Sequence, residues 1–286
     1  MARSDLGTGK SSLTVILPCA GEGSRLGLTY PKPLYEVHPG LGLIDLSLMH
    51  LRLAHRRGFG FQVAVVVRPG TMAVYDYVKK ALPGITVHSC PYQPAYPEWP
   101  GSVYSAQAWF AENNLVLLPD SIITLGPRSH FYDARGRCLV EALLQGLGNH
   151  PVHVLCVRET REILRRMGAV HLEKGHLTLL CDKPRGELSA YNGFWVSYAF
   201  RADQGEGLYH YLRAAVSGQK EPFPLSRLGP PGADWAWGYR DLGTWEALES
   251  FRGEHRDAQA FWADMATQAG MDVRPVTRLC APCQDG

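Results

Sequence analysis

Strong charge of either sign is missing from this sequence. Its 286 residues carry a formal net charge of +2 at pH 7, too little to argue for nucleic acid or an anionic membrane surface as a partner. No apolar run approaches the roughly 18 residues of a membrane-spanning helix, and no long apolar segment of the signal-peptide type opens the chain. A cytoplasmic protein without membrane or nucleic-acid partners is expected. The seven cysteines are then read as thiols, not as a disulfide framework. Cys280 and Cys283 form a single C-x-x-C, and with no second pair the ligands of a structural zinc site are wanting. There is no G-x-S-x-G elbow and no H-E-x-x-H. No internal repeat is visible. His171, His176 and His210 are scattered and read as solvated or structural.

What is present is an ordinary globular composition, 45% hydrophobic and 20% charged, in a chain long enough for one or two domains. The informative stretch is Leu13 to Leu34, LTVILPCAGEGSRLGLTYPKPL. Leu13 to Leu17 reads as a short buried strand. Ala20, Gly21, Gly23 and Ser24 then form a turn whose glycines allow positive φ and close backbone approach to a ligand. Successive N–H groups in such a turn make an anion site, and Arg25 and Lys32 set two cations beside it. A nucleoside triphosphate needs this combination, with positive charge where the leaving pyrophosphate develops. Gly9-Lys10-Ser11 mimics the end of a P-loop, but Ser4 stands where the first glycine is required, and the piece precedes the strand.

The order strand, G-x-G-S-R, spacer, P-K resembles the signature of the sugar nucleotidyltransferases, the nucleoside-diphosphate-sugar pyrophosphorylases. The short form is similar to the glucose-1-phosphate thymidylyltransferases. The hexapeptide array that some pyrophosphorylases carry is lacking. The resemblance runs from about Leu13 to Phe251 and implies an α/β, Rossmann-like three-layer fold around a central mixed, mainly parallel sheet. The expected organisation is a tail over 1–12, the nucleotidyltransferase domain over 13–251, and a C-terminal helix and tail over 252–286.

The order of elements read from the sequence agrees. Strands are expected at Val63–Val67, Ile85–His88, Leu115–Leu118 and Val152–Val157, with a helix from an Asp45 N-cap to about Arg57 and another at Thr71–Leu82. Such alternation gives right-handed crossovers. Further on, Met167–Leu172 and Leu177–Cys181 read as a hairpin through Lys174-Gly175. A helix is expected from Ser102 to about Ala111. Trp235 to Tyr239 reads as one aromatic strand ending at Arg240-Asp241.

Asp120 and Asp241 stand at strand ends, where ligands of open α/β sheets gather, and two carboxylates there suit Mg²⁺. LLPDS and RDLGT resemble the family's metal-binding L-x-D-N and D-x-G-T, with Pro119 and Ser121 replacing the usual glycine and asparagine. Asp182-Lys183-Pro184 resembles E-K-P, which implies that Asp182 contacts acceptor hydroxyls and Lys183 the acceptor phosphate. Gly168, Asn192 and Gly193 match positions lining the sugar pocket. Gln93 and Gly101 match the base-reading segment, here interrupted by a proline-rich insertion.

The resemblance implies transfer of a nucleotidyl group from an NTP, with a pyrimidine weakly favoured, to a sugar 1-phosphate. Pyrophosphate is released; a homo-oligomer is left open. The alternatives are a cytidylyltransferase acting on a non-sugar phosphate or phosphonate, a glycosyltransferase, and a catalytically silent binder of nucleotide sugars.

Overall fold

The computed structural model describes residues 11–21, 26–38, 40–96, 98–217, 228–229, 231–254 and 258–268. The tail over 1–10 and the Cys280/Cys283 pair lie outside them. β1 (Leu13–Pro18) is apolar at consecutive positions because both of its faces are covered. Leu13, Val15 and Leu17 enter one apolar cluster and Ile16 enters the other.

β2 (Glu36–His38) and β3 (Leu41–Gly42) form a small hairpin before α1 (Asp45–Arg56). β4 (Gln62–Val67), α2 (Met72–Ala81) and β5 (Thr86–Pro91) complete a crossover unit. Then come α3 (Glu98–Tyr104), β6 (Asn113–Val116), β7 (Ser121–Thr124), α4 (Leu139–Asn149) and β8 (Val152–Val157). The one-turn helix α5 (Arg161–Leu164) leads into the hairpin of β9 (Gly168–Glu173) and β10 (His176–Asp182). Lys174 and Gly175 turn it with φ of 50° and 81°, as a tight hairpin requires. β11 (Gly193–Arg201), α6 (Gly205–Ser217), β12 (Gly232–Trp235), β13 (Gly238–Asp241), α7 (Trp245–Glu254) and α8 (Ala258–Gln268) finish the described chain.

Among the described residues, nine strands make one mixed sheet in the order β5-β4-β1-β6-β11-β8-β12-β10-β9. The first four are parallel. β11 runs against both β6 and β8, and β9 pairs with β11 as well as β10. The last five strands therefore close on themselves. Residues of α1, α2 and α4 cover one face of the sheet, and residues of α3 and α6 cover the other, so the fold has the three expected layers. Met265 and Ala266 of α8 are buried in the same cluster as α1.

Three local expectations change. Asp45 is the first residue of α1, not its cap, and its carboxylate accepts the Gly42 N–H (2.7 Å) and the Tyr77 hydroxyl (2.6 Å). α3 starts at Glu98, four residues before Ser102, and ends at Tyr104. The aromatic run Trp235 to Tyr239 is two strands. The Ala236 N–H bonds to Cys156 in the main sheet (2.8 Å), and the Trp237 N–H bonds to Thr124 in β7 (2.9 Å).

Candidate active site

At the carboxyl end of β1, the Cys19 N–H still bonds to the Val66 carbonyl (2.9 Å). Ala20 is buried, and Gly21 is exposed with open space where a Cβ would be. Gly23, Ser24 and Arg25 lie outside the described residues. The chain returns at Leu26, whose carbonyl accepts the Trp245 indole N–H of α7 (3.0 Å). Tyr35 meets the same indole edge-on at 5.4 Å. α7 thus anchors the exit of the glycine turn and the short 3-10 turn that starts at Lys32.

Two aspartates meet beside that lysine. Asp120 precedes β7, and Asp241 ends β13. The antiparallel ladder of these strands sets Asp241 opposite Ser121, and the Leu242 N–H bonds to the Asp120 carbonyl (3.0 Å). The Lys32 ammonium is ion-paired with the Asp120 carboxylate. Asp241 accepts the Gly243 N–H (2.7 Å). A Cβ on Gly243 would stand 2.6 Å from Asp241 Oδ1 and 2.7 Å from Lys32 Nζ. The lysine on Asp120 and the Asp241 carboxylate therefore border one small volume, and a side chain at 243 would displace them. Ser121 is buried and its hydroxyl has no hydrogen-bond partner. This oxygen-only donor set fits a hard divalent cation, although no cluster of three or more acidic, histidine or cysteine groups occurs among the described residues. Burial and, second, the Asp120 charge push the Cys19 thiol upward, away from the thiolate form that reacts.

The acceptor candidates gather at the start of the β9–β10 hairpin. Asp182 stands opposite Gly168. The Lys183 N–H bonds to the Met167 carbonyl (2.9 Å) with φ at 48°, a left-handed conformation uncommon outside glycine. Burial raises the Asp182 pKa, Lys183 opposes that, and Glu98 adds to it. Glu98, a residue no motif singled out, thus acts on Asp182 from α3, also with positive φ (65°). Its neighbour Trp99 packs on Trp195 (4.8 Å between ring centres), whose indole nitrogen lies where a Gly168 side chain would be. Gly193 likewise leaves room for the Trp235 ring and the Val157 carbonyl.

Two candidates are otherwise engaged. The Asn192 side-chain amide donates to the Leu172 carbonyl (2.8 Å) and accepts its N–H (2.9 Å), fastening the loop to β9. Gly101 lies inside α3, where a Cβ would fall 1.8 Å from the Tyr96 carbonyl oxygen. Its smallness serves that packing. Gln93 is exposed, and its backbone N–H bonds to Ser105 Oγ (2.9 Å).

Solved structures share this architecture. A UDP-glucose pyrophosphorylase from Acinetobacter baumannii superposes with a TM-score of 0.64 over 90% of this chain and 99% of its own, at 16% identity. A Bacillus anthracis protein described as a glucose-1-phosphate thymidylyltransferase gives 0.64 over 86% and 96%, also at 16%. The fold is that of the sugar nucleotidyltransferases. The resemblance read from the signature stretch is borne out at the level of the fold. In sequence, 80 residues are 39% identical to the bifunctional protein GlmU of Bradyrhizobium sp., and 78 residues are 40% identical to that of Nitrobacter hamburgensis. These stretches cover 28% and 27% of this chain and 16% of each relative, about a sixth of the curated proteins' length. No family model matches the chain. Among the described residues, no helix is long and apolar enough to cross a membrane.

Proposed function

We propose that the protein is a nucleotidyltransferase that condenses an NTP with a sugar 1-phosphate or related phosphomonoester, releasing pyrophosphate. The observation that carries this reading is the meeting of Asp120, Asp241 and Lys32 beyond the carboxyl end of β1, where the Asp120 charge reaches Cys19. An oxygen of the acceptor phosphate attacks the α-phosphorus. The new P–O bond forms as the bond to the β-phosphate oxygen breaks, and the electron pair leaves with pyrophosphate. The attacking oxygen is already anionic, so no general base is needed, and the chain's work is positioning and charge stabilisation.

In this reading Lys32 and Arg25 balance charge on the triphosphate, while Gly21, Gly23 and Ser24 line its backbone cradle. Lys183 holds the acceptor phosphate and Asp182 orients the acceptor. Asp120 and Asp241 would hold Mg²⁺, which when bound screens phosphate charge and favours the α-phosphate as electrophile. A pyrimidine base is the preferred reading; one Acinetobacter baumannii neighbour is a UTP-bound UGPase. The cysteines among the described residues are free, in keeping with the cytoplasm as the proposed compartment.

A second reading keeps the reaction and changes the acceptor. The carboxylates of Glu98 and Asp182 beside the indoles of Trp99 and Trp195 suit a phosphate or phosphonate carrying an ammonium group, since cations are held by carboxylates and aromatic faces. Pyrophosphate release, measured over a panel of NTPs against sugar 1-phosphates and aminoalkyl phosphates, tests both. Turnover with neither acceptor class, with any NTP, would sink the proposal.

A further inference from the structure

We propose that the Lys32 ammonium is a resident competitor for the cation seat between Asp120 and Asp241, and that a divalent ion takes the seat only as an incoming triphosphate draws the lysine away. This rests on the two-aspartate reading above. Lys32 is ion-paired with Asp120, with side-chain exposures of 10% and 23%, so bulk water competes poorly for either group. The same nitrogen and Asp241 Oδ1 both crowd the position of a Gly243 Cβ, at 2.7 and 2.6 Å. The ammonium therefore rests on Asp120 and borders the same small space as the Asp241 carboxylate.

Charge sets the order of exchange. Two carboxylates and one ammonium leave the cluster one unit negative. A divalent ion added beside the lysine would meet a like charge at contact distance. Lysine leaving alone would strand two half-buried carboxylates side by side. A polyphosphate resolves both, because it offers the ammonium a new partner and the ion further oxygen ligands. Cation and triphosphate should then bind with positive coupling, each raising the other's affinity by the same factor. The absent side chain at Gly243 leaves the lysine room to move.

The experiment is Mn²⁺ binding to the substrate-free protein, read by electron paramagnetic resonance, so that no turnover is needed. Lys32→Gln removes the charge and is expected to bind Mn²⁺ about ten- to a hundredfold more tightly than the native chain, the range of one charge-assisted hydrogen bond. Lys32→Arg keeps the charge and is expected to bind as weakly as the native chain. Lys32→Met, of similar length and neutral, replaces the glutamine variant if that one does not fold. Equal Mn²⁺ affinity in the native and neutral variants overturns the inference alone. So does a tightening in Lys32→Arg equal to that in Lys32→Gln. Absence of Mn²⁺ binding in all the folded variants overturns both the inference and the metal assignment. Inorganic tripolyphosphate supplies a check within the native chain. It is expected to raise Mn²⁺ affinity more in the native protein than in Lys32→Gln, and equal enhancement in the two overturns the competition.

Discussion

Asp241 stands directly opposite Ser121 in the ladder of β13 and β7, one residue along from Asp120. Backbone pairing, and not side-chain reach, brings the two carboxylates together, so the site does not depend on a flexible loop to assemble it. Asp241→Asn removes one ligand charge and is expected to raise the Mg²⁺ concentration needed for half-maximal pyrophosphate release, with EDTA abolishing activity reversibly. Full activity of the native protein in EDTA would remove the aspartates from the proposed mechanism.

Lys183 and Lys32 act on different substrates in this reading. Lys183→Ala is expected to raise the acceptor KM and to lower kcat/KM by ten- to a hundredfold or more, the worth of about 1.5–3 kcal/mol for a charge-assisted contact. Calorimetric NTP affinity without acceptor is expected to change little. Collapse of NTP affinity with acceptor affinity retained would move Lys183 to the triphosphate side.

Gly101→Ala separates packing from base recognition. A Cβ would fall 1.8 Å from the Tyr96 carbonyl oxygen and 2.3 Å from its carbonyl carbon, and backbone atoms cannot swing aside as a side-chain end can. Overpacking of this kind typically costs about 1–3 kcal/mol or more. Chemical denaturation is expected to show a loss of that size. The order of preference among NTPs is expected to survive; a variant of native stability that changes base preference would return Gly101 to the base site.

Two groups on α1 pull stability in opposite directions with pH. Burial raises Asp45 from 3.8 to about 6, against its hydrogen bonds from Tyr77 and Gly42. The folded chain therefore holds the proton where the unfolded chain has lost it, and stability on this account falls as pH rises from about 4 to 6. Burial, and second the charge of His130, lower His50 from 6.5 to about 4. Its contribution is whole above about pH 6.5 and is lost as pH falls toward 4. The two effects largely offset in the native chain. Asp45→Asn removes only the first, so its stability is expected to fall more steeply between pH 6.5 and 4.5, by on the order of 2–3 kcal/mol relative to the native slope. Urea midpoints for the two proteins that run parallel across this window would refute the pairing.

By itself the sequence determined whatever rests on local chemistry. β1 was legible as an apolar run, interrupted by Thr14 alone, because both of its faces are covered. The hairpin at Lys174-Gly175 was legible because that turn needs positive φ. Val152–Val157 was placed to the residue. Asp120 and Asp241 stood out as carboxylates at strand ends, and Lys32 as the cation of a spaced motif. The tertiary structure alone decided which of these meet. Trp235 to Tyr239 alternates like one strand, yet successive N–H groups at Ala236 and Trp237 bond to Cys156 and Thr124 on different sheets. Glu98 acts on Asp182 from within a proline-rich insertion that carries no motif. Lys32 rests on Asp120, and Gly243 keeps their common space clear. Periodicity and turn chemistry are properties of neighbours in the chain. Pairing across a sheet, and charge held between two strands, depend on residues far apart in sequence that only packing brings to contact.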